Sequence, residues 1–123
     1  MVDALGNPLR FELTGGQSHD CVTGYELLQS IDLTGSNVLA DRAYDTNAII
    51  DLLHEQQANP VIPSKITRRV QRPCDWWLYK ERHAVECFFN KIKQYRRIAT
   101  RFDKLACTYK AFLSLVSIFV WLA

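Results

Sequence analysis

Two short apolar runs, Val38-Leu39-Ala40 and Val61-Ile62, flank a stretch in which Ile49, Ile50, Leu52 and Leu53 recur at helical spacing. Runs this short fit strands, and the second is closed in by Pro60 and Pro63. A strand at 37–40, a helix from about 46 to 57 and a strand at 61–62 commit the chain to an α/β arrangement. Upstream, residues 2–5 and 9–13 read as two strands joined by the turn Gly6-Asn7-Pro8, with Thr14-Gly15-Gly16 ending the second. Asp20 or Thr23 can cap a helix carrying Tyr25, Leu27, Leu28 and Ile31. Residues 64–75 are basic and lack apolar periodicity, so they read as an exposed connector, and helices are expected at 79–98 and 108–122. The order strand, strand, helix, strand, helix, strand, helix, helix predicts a mixed sheet with flanking helices.

A chain of 123 residues holds one domain, and 48% apolar residues exclude disorder. Its net charge of +2 conceals an asymmetry, −7 over residues 1–64 and +9 over residues 65–123. The basic half suits a phosphate-bearing partner, although charges of this kind also serve as a solvated face. Cys21, Cys74, Cys87 and Cys107 form no C-x-x-C pair and read as reduced thiols of a cytoplasmic protein. MVDALGNPL has neither the basic nor the apolar segment of a signal peptide. The closing run AFLSLVSIFVWLA, thirteen residues, is too short to span a bilayer and is expected to be a buried helix. No membrane role is expected.

Tyr79, Arg82, Glu86 and Lys93 stand in the pattern Y-x2-R-x3-E-x6-K. On one helix these steps return to nearly the same face, placing a carboxylate among a phenol, a guanidinium and an ammonium. That mixture suits a phosphate held near a metal-binding oxygen, and it also suits an ordinary charged helix face. Val85, Phe88, Phe89 and Ile92 form the apolar side of the helix and are expected in the core. Trp76 and Trp77, just ahead of it in a basic segment, can stack on unpaired bases or anchor the core. Lys91, Lys93, Arg96, Arg97, Arg101 and Lys104 predict salt-sensitive DNA binding with little sequence preference. His19, His54 and His83 show no catalytic spacing.

The four-residue pattern resembles the Y-R-E-K signature of bacterial insertion-sequence transposases of the DDE superfamily, of the insertion-sequence-four and -five type. VDALGNPLRFELTGGQSHD, LADRAYDTNAIIDLL and YKERHAVECFFNKIKQYRRIATRFDKLACTYKAF are similar to successive blocks of that family's catalytic domain and cover nearly all of the chain. The resemblance implies an RNase H-like (retroviral-integrase-like) fold that lacks its first, central strand here. It divides the chain into residues 1–63, a basic connector at 64–78 and the helices of 79–123. It also implies cleavage and joining of DNA with two Mg2+ ions, replaceable by Mn2+, held by two Asp and one Glu and about 3.5–4 Å apart.

On this resemblance the second Asp is Asp41, which also sits where an apolar strand ends and α/β proteins gather ligands. Asp45 is the competitor and fits a helix N-cap instead. Glu86 is the third carboxylate. Tyr79, Arg82, Lys93, Arg96, Arg97, Trp76 and Trp77 are the DNA-contacting candidates. The first Asp has no counterpart, and Asp3 maps to a neighbouring strand end, from which it is a poor substitute ligand. Expected partners are transposon-end and target DNA, the product of an upstream overlapping reading frame and a second copy in a homodimer. Two readings compete: a transposase segment that is inactive alone, and a non-catalytic remnant that binds DNA nonspecifically or inhibits intact transposase.

Overall fold

The structure, a computed structural model, describes residues 1–13, 20–95 and 106–122. In chain order the elements are α1 (Asp20–Gln29), β1 (Asn37–Leu39), a 3-10 turn (Arg42–Tyr44), α2 (Asn47–Glu55) and β2 (Asn59–Val61). Then come α3 (Trp76–Tyr79), a second 3-10 turn (Lys80–Arg82), α4 (His83–Ile92) and α5 (Ala106–Leu122). They fall into two compact units, Thr14–Arg82 and Met1–Leu13 with His83–Ala123.

In the first unit β1 and β2 pair in parallel, with Asn37 opposite Asn59, Val38 opposite Pro60 and Leu39 opposite Val61. A parallel pair needs a crossover, and α2 supplies it. Thr46 starts α2 by accepting a hydrogen bond from the Ile49 amide at 3.2 Å. The four apolar side chains expected as its buried stripe, Ile49, Ile50, Leu52 and Leu53, are all buried. Leu28, Leu33, Ala58, Val61 and Ile62 complete this core.

The end of α2 is tightly specified. The Ala58 amide donates to the Leu53 carbonyl at 2.8 Å and the Gln57 amide to the His54 carbonyl at 3.0 Å. This is a Schellman cap, with Gln57 at φ 59° where glycine is the usual residue. Gln56 then ties α2 to the end of α1: its Nε2 donates to the Leu28 carbonyl at 3.0 Å, and its Oε1 accepts from the Leu33 amide at 3.1 Å.

In the second unit Phe88 and Ile92 of α4 pack with Leu113 and Val116 of α5, and Val2, Phe11, Tyr109, Phe112 and Val120 lie against them. Trp121 Nε1 donates to the Pro8 carbonyl at 2.7 Å, and Lys110 pairs with Glu12 at 3.2 Å. Both serines of the closing run stay within the helix, Ser114 bonding the Lys110 carbonyl and Ser117 the Leu113 carbonyl. No helix among the described residues is long and apolar enough to cross a membrane.

Several expectations are corrected. Residues 2–5 and 9–13 form no strands; the turn survives, closed by a single antiparallel bridge between Val2 and Pro8. The reason is local, because Asp3 Oδ1 accepts from the amides of Leu5 and Asn7, both at 2.9 Å, donors that a strand ladder would use. The sheet among the described residues has two strands. The helix expected over 79–98 starts at Trp76, where Asp75 caps it, and passes through 3-10 geometry at Lys80–Arg82 before α4 begins. α5 is buried on one side only: Leu115, Ile118, Phe119 and Leu122 are exposed, as is Phe89 on α4.

Candidate nucleic-acid interface and catalytic carboxylates

Asp41 follows β1 at the C-terminal edge of the parallel pair. Its Oδ1 accepts from the Ala43 amide at 3.0 Å and caps the 3-10 turn Arg42–Tyr44, while the residue remains exposed. No described residue donates to the second oxygen, Oδ2. The turn is seated by Tyr44, whose ring lies against Gly24 of α1. A Cβ on Gly24 would stand 2.6 Å from Tyr44 Cε1, so glycine is required for this approach. Burial, with Asp20 and Asp41 nearby, pushes the Tyr44 phenol up and keeps it neutral.

Asp45, four residues on, is not the helix cap; Thr46 takes that role. Asp45 is 2% exposed and accepts from the Lys65 amide at 2.7 Å, from Arg68 Nε at 2.9 Å and from Arg72 Nη2. Burial alone would raise its carboxyl. The Lys65 amide, the hydrogen bonds from Arg72 and Arg68 and the charge of Arg72 outweigh that and hold it below the ordinary carboxylate value. Part of the expected exposed connector is therefore folded down. Arg68 also reaches Asn47 Oδ1 at 2.9 Å, and the Arg72 amide donates to the buried Ser64 Oγ at 2.8 Å.

Ahead of α4 the chain presents aromatic rings paired with cations. Trp76 is 54% and Trp77 80% exposed, so neither is the core anchor. Lys80 Nζ lies 4.8 Å from the Trp77 ring centroid, and Arg82 Cζ 5.6 Å from that of Tyr79. Trp76 meets Tyr79 edge-on at 5.4 Å. Flat faces beside cations match what a displaced nucleotide offers, a base to stack and a phosphate to neutralise.

Glu86 lies in the first turn of α4, exposed, with His83 Nδ1 3.1 Å from its Oε2. Lys93 is the first residue beyond α4 and is exposed. The structure thus brings Tyr79 together with Arg82, and sets Glu86 beside His83. Asp41 belongs to one unit and Glu86 to the other. Arg96 and Arg97 lie outside the described residues, as do Arg101 and Lys104. Cys21, Cys74 and Cys87 are free thiols.

A family model described as a transposase DDE domain matches residues 1–121 of this chain. The chain is also 41% identical, over 123 residues, to the putative transposase for insertion sequence element IS6501 of Brucella ovis, covering 99% of this chain and 94% of that protein. The chain belongs to the DDE transposase family. No solved structure matches it significantly.

Members of the DDE transposase family generally use divalent metal ions. Among the described residues of this family member, no three His, Cys, Asp or Glu side chains gather as a metal site. A hard divalent cation needs several oxygen ligands placed to within tenths of an ångström, and this donor set falls short of that. The described residues alone do not fit a resident ion. Sequence reading missed two contacts in this transposase chain. His83 was legible from its three-residue spacing to Glu86; the Asp45–Arg68–Arg72 cluster spans 23 and 27 residues and carries no local signal.

Proposed function

We propose that these residues form the DNA-engaging part of an insertion-sequence transposase catalytic domain of RNase H-like type. The complete enzyme hydrolyses a phosphodiester at the element's end and joins the freed 3′-hydroxyl to target DNA. Asp41 and Glu86 are the catalytic carboxylates this chain contributes, and the first carboxylate comes from the product of an upstream reading frame. The family assignment supports the reaction class, and the exposed end of β1 supports Asp41. The observation that carries the DNA-engaging role is the ring–cation cluster of Trp76, Trp77, Tyr79, Lys80 and Arg82.

That role is tested by fluorescence anisotropy with labelled single-stranded and forked DNA. Trp77→Ala should weaken binding of unpaired DNA about 5- to 150-fold, the range for loss of one stacked base. Binding that is equal for Trp77→Ala and the parent chain would remove the cluster from the interface. A second reading is a chain that binds DNA and never cuts it. The two readings separate when an upstream fragment is added, since only the first recovers cleavage.

A further inference from the structure

Residues 64–72 contain four cations and no carboxylate, yet the structure treats the cations unequally. Arg68 and Arg72 turn inward onto the buried Asp45, each with a quarter of its side chain exposed. Three further bonds close the loop on itself: the Arg68 amide donates to the Lys65 carbonyl at 3.0 Å, and Gln71 Nε2 donates to the Lys65 and Arg68 carbonyls at 2.9 and 2.7 Å. Together with the bonds from the Lys65 amide to Asp45 and from the Arg72 amide to Ser64, they fix a segment that has neither helix nor strand. What such a loop turns outward is then chosen by its fold.

Its exposed residues are Ile66, Thr67, Arg69, Val70 and Gln71, and Gln71 is tied to the loop's own carbonyls. Ile66 is 84% and Val70 78% exposed, in a loop where polar residues are the norm. Branched apolar side chains on a rigid cationic loop suit a partner with phosphates beside flat, apolar surface. DNA has both, and charge complementarity selects it over an acid-free or cationic protein surface.

Resting on the DNA-engaging role proposed above, we infer that the 64–72 loop is a second, preformed DNA-docking element. Arg69 takes a phosphate, and Ile66 and Val70 pack against the sugar and base faces of the adjoining nucleotides. Asp45 is its positioning residue. By holding Arg68 and Arg72 it converts half of the loop's cations from phosphate ligands into scaffold, and so prefolds the rest. A prefolded loop loses less conformational freedom on binding than a flexible basic tail.

The test is anisotropy of the whole chain with a labelled duplex across a salt series. Arg69→Gln should weaken binding severalfold and lower the slope of log affinity against log salt by about 1, the effect of one lost phosphate contact. The double variant Ile66→Ser with Val70→Ser should weaken binding without changing the slope. Arg68→Gln should leave the slope unchanged while lowering thermal stability. In the free chain, the Lys65 and Arg72 amides should exchange slowly with solvent.

If the Arg69 and Ile66/Val70 variants bind like the parent while Trp77→Ala binds weakly, the docking loop is overturned and the ring–cation interface stands. A slope change in Arg68→Gln but not in Arg69→Gln would overturn the division of labour between them. Amides exchanging at unstructured rates would overturn preorganisation. Failure of the parent chain to bind any DNA would overturn both this inference and the role beneath it.

Discussion

Replacing Asp45 with asparagine keeps the shape of the side chain and removes its charge. The carboxylate accepts from one amide and two guanidinium groups and is fully buried, while both guanidiniums are a quarter exposed. Removing one partner of a fully buried pair costs about 3–5 kcal/mol. Water reaching the arginines lowers that, and asparagine keeps one acceptor for the Lys65 amide, so a loss of about 2–4 kcal/mol is expected. For a chain of this size that is a fall in Tm on the order of 10 °C. Urea titration followed by far-UV circular dichroism and tryptophan fluorescence measures it. Asp51→Asn, at an exposed position on α2, is the control and should stay within about 0.5 kcal/mol. A cost for Asp45→Asn no larger than the control's would show that the arginine cluster does not hold residues 64–72 to the unit.

The same carboxylate sets a pH dependence. Its folded value is depressed, so its contribution is present above the ordinary carboxylate value of about 3.9 and fades as pH falls through the lower folded value. The stability gap between the parent chain and Asp45→Asn should therefore be level above about pH 5 and shrink below about pH 4, read by urea titrations at each pH. A gap that widens on acidification would contradict the sign. Gln57→Gly relieves a left-handed backbone at the α2 cap and should stabilise by about 1 kcal/mol in the same titration. Gly24→Val drives a side chain into the Tyr44 ring and should cost about 1–3 kcal/mol; a neutral outcome would mean that Tyr44 is not seated there. Asp41→Ala loses only the cap of a short exposed turn, at about 0.5–1 kcal/mol, so lost activity in this variant is not explained by unfolding.

Helical periodicity made the buried stripe of α2 legible to the residue, because it is a local pattern with one interpretation, while the ends fell one and two residues inside the expected 46 to 57. The end of β1, and with it the placement of Asp41, was legible for the same reason. Asp45 was not. Asp45 and Thr46 are both good N-caps in adjacent positions, and only the distant arginines decide which of them caps. Asp75 caps α3 at Trp76, three residues ahead of the expected start at 79, and the 3-10 turn at Lys80–Arg82 leaves no periodic trace, so one long helix was expected where three short elements occur. In α5 nearly every position is apolar, and periodicity cannot say which face is buried. Neither pattern nor local chemistry links Asp41 to Glu86; that link is what the family resemblance implies, and it remains a proposal.

The central claim is that this transposase chain engages DNA and needs a further carboxylate to cut it. The most direct measurement is end cleavage and strand transfer on labelled DNA in Mg2+ or Mn2+, with binding recorded in parallel. The chain alone should shift the DNA and yield no cleaved or joined product. Adding an upstream fragment should restore product, and Asp41→Ala or Glu86→Ala should each abolish it. Robust strand transfer by residues 1–123 alone would contradict the claim.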